Sequence, residues 1–105
     1  FLDLDRFKQI NDSLGHGFGD RVLVSVSERL QDCVRQVDTA ARVGGDEFIL
    51  ILAGVDAAGA EVAARRILHA ISQPVVVDGM SFSLTVSIGI AMFPEDGTDA
   101  DELTK

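Results

Sequence analysis

The 105-residue sequence is poor in cysteine and in basic residues, and both shortages restrict its function. The one cysteine, Cys33, can form no internal disulfide, so a reducing cytosol is the simplest setting and we expect a cytoplasmic protein. Nine Lys and Arg against 17 Asp and Glu give a formal net charge of −8. This balance argues against nucleic acid as a partner, which would need a basic surface. It does not exclude a nucleoside triphosphate, because Mg²⁺ can bridge carboxylates and phosphates.

The sequence also lacks an apolar run long enough to cross a bilayer and a start that resembles a signal peptide. Its apolar residues, 47% of the total, argue against disorder and suffice for one core. The sequence begins at Phe1 with residues typical of a strand, and it ends at Lys105 within a pattern typical of a helix. We therefore expect residues 1–105 to be a single domain truncated at both ends, whose parent chain could carry a membrane anchor or a sensor domain.

Apolar spacing in the first third of the chain predicts a strand and two helices. Phe1–Leu4 is typical of the end of a strand, and Phe7, Ile10 and Leu14 recur at helical spacing. Three glycines then predict a loop over Gly15–Asp20. A longer amphipathic helix follows, on the spacing of Val22, Leu23, Val26, Leu30, Val34 and Val37.

The middle of the chain predicts a β-hairpin and a third helix. Thr39–Val43 and Phe48–Leu52 are β-rich runs joined through Gly44-Gly45, a pair that suits a tight turn because the primed turns need positive φ. The second run has no polar alternation, which predicts a strand covered on both faces. Asp56 is the expected N-cap of a helix that Pro74 ends. The inward residues of that helix are expected to be Ala60, Ala64, Ile67, Leu68 and Ile71.

The last third predicts a second hairpin, a long strand and a further helix. Val75–Val77 is a short strand with a turn at Asp78-Gly79. Apolar and small residues alternate over Phe82–Met92, which predicts one strand whose small face lies under a helix. A helix starts at Asp99. This order predicts an α+β fold, with a central, mostly antiparallel sheet flanked by helices.

Acidic residues follow two of the predicted strands. Asp3 and Asp5 come after the first strand, and Asp46 and Glu47 lie in the hairpin. If these strands are neighbours, the carboxylates converge and repel one another unless cations lie between them. Oxygen ligands favour Mg²⁺ or Mn²⁺, and two such ions can activate a hydroxyl and stabilise a transferring phosphoryl group. The alternative is that these residues only solvate loop tips.

Further polar residues surround the first predicted helix. Lys8 lies near its start, where free backbone N–H groups suit phosphate; alternatively, Lys8 is an exposed lysine on a solvated face. Asn11, His16 and Asp20 have the donors and acceptors to read a purine edge. Local roles are equally open: a solvated helix position for Asn11, a loop brace for His16 and an N-cap for Asp20.

These motifs together resemble one known family. Gly44–Phe48 spells the signature of the GGDEF domain. Asp3–Asp12 is similar to the first strand and helix of that family, Gly15–Asp20 to its guanine loop, and Ser87–Ala91 to its late strand. The matches occur in family order and cover nearly the whole chain. The resemblance implies a ferredoxin-like, nucleotidyl-cyclase palm with strand-helix-helix-strand-strand-helix-strand-strand order.

The resemblance also implies a diguanylate cyclase, which condenses two GTP molecules into cyclic di-GMP and pyrophosphate in a head-to-head homodimer. Two Mg²⁺ (or Mn²⁺) ions per site are implied, with Asp3, the Leu4 carbonyl, Asp46 and Glu47 as ligands. Asp46 is also implied as general base for the ribose 3′-hydroxyl, and Lys8 as a charge on the phosphates. The other implied nucleotide contacts are the backbone N–H groups of Arg6 and Phe7, the guanine-binding residues Asn11 and Asp20, nearby His16, and Gly44 and Gly45 for close approach of the triphosphate.

Arg35 and Asp38 stand three residues apart at the end of the second predicted helix. Spacing alone indicates an exposed ion pair that contributes little to stability. The resemblance places them at the inhibitory product site, where Arg35 would pair with a phosphate or guanine of bound cyclic di-GMP.

Two alternatives to an active cyclase remain open. Family members usually continue with an Ala-Asp…Tyr…Ala-Lys segment, which would follow Lys105, so we expect these 105 residues alone to have reduced activity. The motifs at Gln73–Gly79 and Phe93–Gly97 are similar to tandem GGDEF–EAL proteins. The domain could thus be a silent GTP-binding module that regulates an attached EAL phosphodiesterase, or a cyclic di-GMP receptor. The intact signature favours the cyclase.

Overall fold

The computed structural model describes residues 1–104, with the backbone alone for Phe82; Lys105, in the predicted last helix, lies outside the described residues. The expected α+β fold is confirmed. Its strands are β1 (Leu2–Leu4), β2 (Thr39–Gly44), β3 (Glu47–Ile51), β4 (Val75–Val77), β5 (Met80–Phe82) and β6 (Val86–Ile88). Its helices are α1 (Phe7–Leu14), α2 (His16–Cys33), α3 (Ala57–Ser72) and α4 (Ala100–Leu103). No helix among residues 1–104 is both long and apolar enough to cross a membrane.

The main sheet places β1 in its interior. The strand order is β2-β3-β1-β6 with antiparallel neighbours, and β4 and β5 form a separate hairpin. Leu2 lies opposite Phe48 on β3 and Ile88 on β6. Because successive side chains of a strand alternate between faces, Leu2 and Leu4 lie on one face of β1 and Asp3 lies on the other.

The core lies between the Leu2 face of the sheet and helices α2 and α3. Leu4, Leu30 and Ile71 are almost fully inaccessible there. The other core residues are Leu2, Phe7, Phe18, Val22, Leu23, Val26, Phe48, Ile67, Val75, Val77 and Leu84. Arg29 of α2 donates hydrogen bonds to the backbone carbonyls of Ala70, Gln73 and Pro74 at the end of α3. These bonds satisfy carbonyl groups that a helix end leaves unpaired.

The predicted loop over Gly15–Asp20 is wrong, because α2 already begins at His16. Only Gly15 separates the two helices, with a positive φ of 88° that favours glycine. Gly19 faces α1: a Cβ atom there would lie 1.8 Å from Oδ1 of Asn11. Gly19 thus permits close contact between the helices and does not break α2.

The second helix ends earlier than its apolar spacing predicts. Val34 is extended, and Val37 is 70% exposed beyond the helix. The Asp38 carboxylate accepts a hydrogen bond from the backbone N–H of Arg35 at 2.9 Å, and the Asp38 N–H donates to the Arg35 carbonyl at 3.0 Å. This local turn replaces helical hydrogen bonds and ends α2.

The predicted hairpin is confirmed at β2 and β3, but not its turn conformation. Neither Gly44 nor Gly45 has a positive φ, and the register shifts between Arg42 and Gly44. The bulge supplies the bend that a primed turn would otherwise provide. The prediction that both faces of β3 are covered is also wrong, because Ile51 is 63% exposed.

The single strand predicted over Phe82–Met92 is divided in the structure. Residues 80–82 pair with β4, whereas residues 86–88 pair with β1 in the main sheet. Leu84, between them, is buried in the core. The alternation of apolar and small residues indicates which side chains are buried, but it does not identify the strand with which each residue pairs.

The predicted start and end of α3 are confirmed. Asp56 caps the helix by accepting a hydrogen bond from the Gly59 N–H at 2.7 Å, and α3 ends before Pro74. Leu68, predicted to face inward, is 43% exposed. At the β4–β5 turn, Asp78 and Gly79 both have positive φ, as the predicted hairpin requires.

Candidate functional site

The signature carboxylates meet Asp3 at one end of the sheet. Asp3 on β1 lies directly opposite Glu47 on β3, and the N–H of Leu4 donates to the backbone carbonyl of Asp46 at 3.0 Å. Partial desolvation, followed by the charges of Asp46 and Glu47, raises the pKa of Asp3 above its ordinary value. The convergence expected from the sequence is therefore confirmed for these three residues.

The donor set fits a hard divalent cation in part. Asp3 and Asp46 supply carboxylate oxygens, which Mg²⁺ and Mn²⁺ prefer, and a cation beside Asp3 would relieve the repulsion that raises its pKa. Among residues 1–104, however, no group of three His, Cys, Asp or Glu side chains is close enough to hold a metal ion. A bound ion would therefore need further oxygens from the backbone, water or a phosphate ligand.

Asp5 also lies close enough for its charge to raise the pKa of Asp3, as the expected convergence requires, but its own carboxylate oxygens have other partners. Its Oδ2 accepts a hydrogen bond from the Thr85 hydroxyl at 2.9 Å, and its Oδ1 accepts one from the Ser87 hydroxyl at 2.8 Å. Sequence reasoning missed both partners, which lie 80 and 82 residues away. The small polar residues that alternate along the predicted late strand were the only available signal.

The start of α1 offers backbone donors beside Asp3. Arg6 is its N-cap with φ 60° and ψ 20°, and no side chain caps the helix. The first N–H groups of a helix have no intrahelical acceptor, so those of this turn are suited to an anion. Phe7 is buried in the core and holds the turn, while Lys8 is exposed beside it.

The predicted guanine residues are on helices and not on a loop. Asn11 is half-buried on α1, and its Oδ1 is inaccessible and has no hydrogen-bond partner in the described chain. His16 and Asp20 are exposed in the first turns of α2. A buried amide oxygen without a donor is costly, so the Asn11 amide is a candidate for pairing with a ligand.

The hairpin turn is open to solvent. Arg42 donates from Nε to the Gly45 carbonyl at 3.0 Å and holds the turn. Cβ atoms at Gly44 or Gly45 would meet no atom of the chain within 4 Å. The packing of the chain itself thus does not require glycine at either position.

Two clefts lie near the sheet, and only one touches the acidic residues. A cleft of about 510 Å³ is lined by Asp3, Glu47 and Ser87, together with neighbouring apolar residues of β1, β3 and β6. A second cleft of about 550 Å³ is lined by α3, the end of β3 and residues 88–93, with no charged residue among its described lining. Because phosphoryl chemistry needs charged groups, the first cleft is the candidate site.

Arg35 and Asp38 form a separate cluster at the end of α2. The guanidinium donates to both carboxylate oxygens of Asp38, at 3.0 and 2.9 Å, and to the carbonyl of Ala53. The Ala53 N–H donates back to Asp38 at 3.0 Å. Asp38 is only 3% exposed while Arg35 is 54% exposed, so this pair is more organised than the simple surface pair that spacing indicated.

The comparisons with known proteins agree on one family. The family model described as diguanylate cyclase, GGDEF domain matches residues 1–105. A cyclic di-GMP phosphodiesterase of Pseudomonas aeruginosa, NbdA, is 41% identical over 105 residues, which are 100% of this chain and 13% of that protein. The bifunctional diguanylate cyclase/cyclic di-GMP phosphodiesterase MucR of the same species is 44% identical over 103 residues, 98% of this chain and 15% of that protein.

The structural comparison gives the same answer. The crystal structure of the GGDEF domain of TpbB from Pseudomonas aeruginosa superposes with a TM-score of 0.94 at 41% identity, covering 98% of this chain and 65% of that one. The chain thus spans 13% and 15% of the length of the two curated relatives. Fold, signature and sequence identity together show that the chain belongs to the GGDEF family of diguanylate cyclase domains.

Proposed function

We propose that this domain condenses two GTP molecules into cyclic di-GMP and releases two pyrophosphates. The observation that carries the proposal is the position of the intact signature carboxylates beside Asp3, next to the uncapped start of α1. Anionic oxygens for a cation and free N–H groups for phosphate then lie at the same end of the sheet. Family membership supports this chemistry over other uses of such a site.

Asp3, Asp46, Glu47 and the Leu4 carbonyl would hold divalent ions, two per site, with Mg²⁺ or Mn²⁺ as the suitable choices. When bound, these ions supply charge neutralisation of the triphosphate and a lower pKa for the attacking hydroxyl. Asp46 accepts the proton of the ribose 3′-hydroxyl. The 3′-oxygen forms a bond to the α-phosphorus of the other GTP, and the bond from that phosphorus to pyrophosphate breaks.

The chain's own contribution is orientation and charge. The N–H groups of Arg6 and Phe7 donate to phosphate oxygens, and Lys8 adds a positive charge that a triphosphate needs near so many carboxylates. Asn11 and Asp20 hydrogen-bond the guanine edge, with His16 adjacent. The unpaired Asn11 oxygen supports this role because guanine N–H groups would satisfy it once the amide turns toward the nucleotide.

Each domain would hold one GTP, so condensation requires a second copy of the domain facing the first in a head-to-head homodimer. Arg35 and Asp38 would bind the product, cyclic di-GMP, and restrain further turnover. The pre-formed pair supports this: Asp38 already accepts hydrogen bonds from four N–H groups, and the half-exposed Arg35 guanidinium can donate to a phosphate.

A second candidate function is a GTP-binding regulatory module attached to a phosphodiesterase domain. The observation that favours it is the 41% identity to NbdA, which is named a cyclic di-GMP phosphodiesterase. A module of this kind would bind GTP and release no cyclic product.

The deciding experiment compares the full-length protein with its Asp46→Asn variant in GTP and Mg²⁺, with the product identified by mass. We expect cyclic di-GMP from the wild type and almost none from Asp46→Asn. Asp32→Asn, an exposed carboxylate on α2, is the matched control and should retain wild-type turnover. GTP binding with no product from the wild type would reject the cyclase in favour of the regulatory module.

A further inference from the structure

Asp5 connects the end of β1 to a strand that is remote in sequence. Its two carboxylate oxygens accept hydrogen bonds from different hydroxyl groups, Thr85 Oγ1 at 2.9 Å and Ser87 Oγ at 2.8 Å. Its backbone N–H donates to the Thr85 carbonyl at 2.9 Å. Three hydrogen bonds therefore fix this one residue to the start of β6.

The preceding residue is fixed from the opposite side. The N–H of Leu4 donates to the Asp46 carbonyl at 3.0 Å, so the residues immediately before β3 and before β6 hold consecutive residues of the chain. Asp3, the candidate metal ligand, comes immediately before this pair. Phe7, the first residue of α1, comes two residues after Asp5. The distance between cation ligands and phosphate donors is thus set by the segment that Asp5 fixes.

The segment contains a residue in an unfavourable conformation. Arg6 is left-handed at φ 60°, a conformation that is unfavourable for a residue other than glycine. No side chain caps α1, so helix capping does not hold Arg6 in this state. The Arg6 carbonyl accepts from the N–H groups of Gln9 and Ile10 inside α1, and Asp5, held by its three hydrogen bonds, fixes the other side of Arg6. We expect the loss of these Asp5 contacts to let Arg6 relax and turn the first N–H groups of α1.

We propose that Asp5 is a positioning residue for the cyclase reaction, acting through Thr85 and Ser87 to hold the start of α1 against the metal-binding end of β1. It acts through these contacts and does not ligate a cation. The effect on turnover rests on the proposed function, whereas the effect on the backbone of α1 does not.

Two substitutions at Asp5 separate positioning from ligation. An asparagine can accept from one hydroxyl and donate to the other, so Asp5→Asn keeps both contacts to β6. Asp5→Ala loses both. For the full-length protein we expect Asp5→Asn to retain most of kcat, and Asp5→Ala to lose about 10–100-fold, as for other groups that orient ligands. A cation ligand would instead lose activity equally with Asn and Ala, which would overturn the proposal.

A double-mutant cycle tests the route of the effect. Thr85→Val with Ser87→Ala removes the two hydroxyl donors and should lower kcat to a similar extent as Asp5→Ala. Adding Asp5→Ala to that background should then change little, because the contacts are already absent. Independent, multiplicative losses would show that Asp5 acts elsewhere and would overturn the proposal.

Amide hydrogen exchange gives a readout that does not depend on turnover. Asp5→Ala should speed exchange of the Gln9 and Ile10 amides, which donate to the Arg6 carbonyl, and Asp5→Asn should not. Asp12→Ala, an exposed aspartate on the same helix, is the control for nonspecific loosening of α1. If the wild type makes no cyclic di-GMP, the proposed function fails while this exchange pattern still tests Asp5. Unchanged exchange in Asp5→Ala would reject the positioning role.

Discussion

Gly19 offers a sharp test of how the nucleotide site is built. Its Cβ, if present, would lie 1.8 Å from Oδ1 and 2.9 Å from Cγ of Asn11, and 3.3 Å from Cζ of Phe7. Ordinary contacts begin at about 3.5 Å, so Gly19→Ala must displace the Asn11 amide by about 1.5–2 Å. The same helix provides a matched control, because a Cβ at Gly17 would meet nothing within 4 Å.

The two substitutions should differ in their effect on the free energy of unfolding. Gly17→Ala adds helix propensity and should stabilise the domain by up to about 1 kcal/mol. Gly19→Ala adds the same propensity but overpacks the α1–α2 contact, so it should be less stable than Gly17→Ala by about 1–3 kcal/mol. At about 4–8 °C per kcal/mol, the difference is easily measured by thermal unfolding.

Binding should separate the variants further. If Asn11 pairs with guanine, its displacement removes hydrogen bonds that contribute about 0.5–1.5 kcal/mol each, or up to about tenfold in affinity per bond. Titration of GTP should therefore give a weaker Kd for Gly19→Ala and an unchanged Kd for Gly17→Ala. Equal melting temperatures and equal GTP affinity for the two variants would refute this account of the helix contact.

Three further predictions concern charge. Arg35→Ala should reduce inhibition by added cyclic di-GMP in an initial-rate assay without lowering the uninhibited rate; unchanged inhibition would return Arg35 and Asp38 to a structural role. The hydrogen bond from Arg35, followed by that from Ala53, holds the pKa of Asp38 well below its usual range. This stabilisation is present above the unfolded-state pKa of about 3.9 and is lost as pH falls through the lowered folded-state pKa. Asp38→Asn should therefore melt at a lower temperature than the wild type at pH 7. The difference between the two melting temperatures should become smaller below about pH 4. Finally, Mg²⁺ at a hundred times its Kd should add about 2.7 kcal/mol to the stability of the wild type, reversed by chelation, while Asp3→Asn should respond far less. An equal response would exclude Asp3 as a ligand.

Much of the site follows from local sequence. The signature and Asp3 stand at strand ends, so adjacency of β1 and β3 was enough to bring their carboxylates together. Asp56 as a cap and Asp78-Gly79 as a turn were also predictable, because a side chain or a backbone preference within a few residues decides them.

The errors arose where distant residues decide the local structure. The glycines after Gly15 looked like helix breakers, yet Gly19 is helical because it packs against Asn11 on another helix. The hydrogen bonds that hold Asp5 could not be predicted, because its partners Thr85 and Ser87 are beyond the range of any local pattern. The break between β5 and β6 follows from a change of sheet, which alternation does not encode.

The interior position of β1 also has a consequence for how the protein is made. Leu2 pairs with Phe48 and with Ile88, so the first strand cannot complete its hydrogen bonds until residue 88 has left the ribosome. At about 5–20 residues per second, this wait is roughly 4–17 s. Until then β3 is the one neighbour that β1 can have, so the β6 side of the strand stays unpaired and the site around Asp3 stays incomplete.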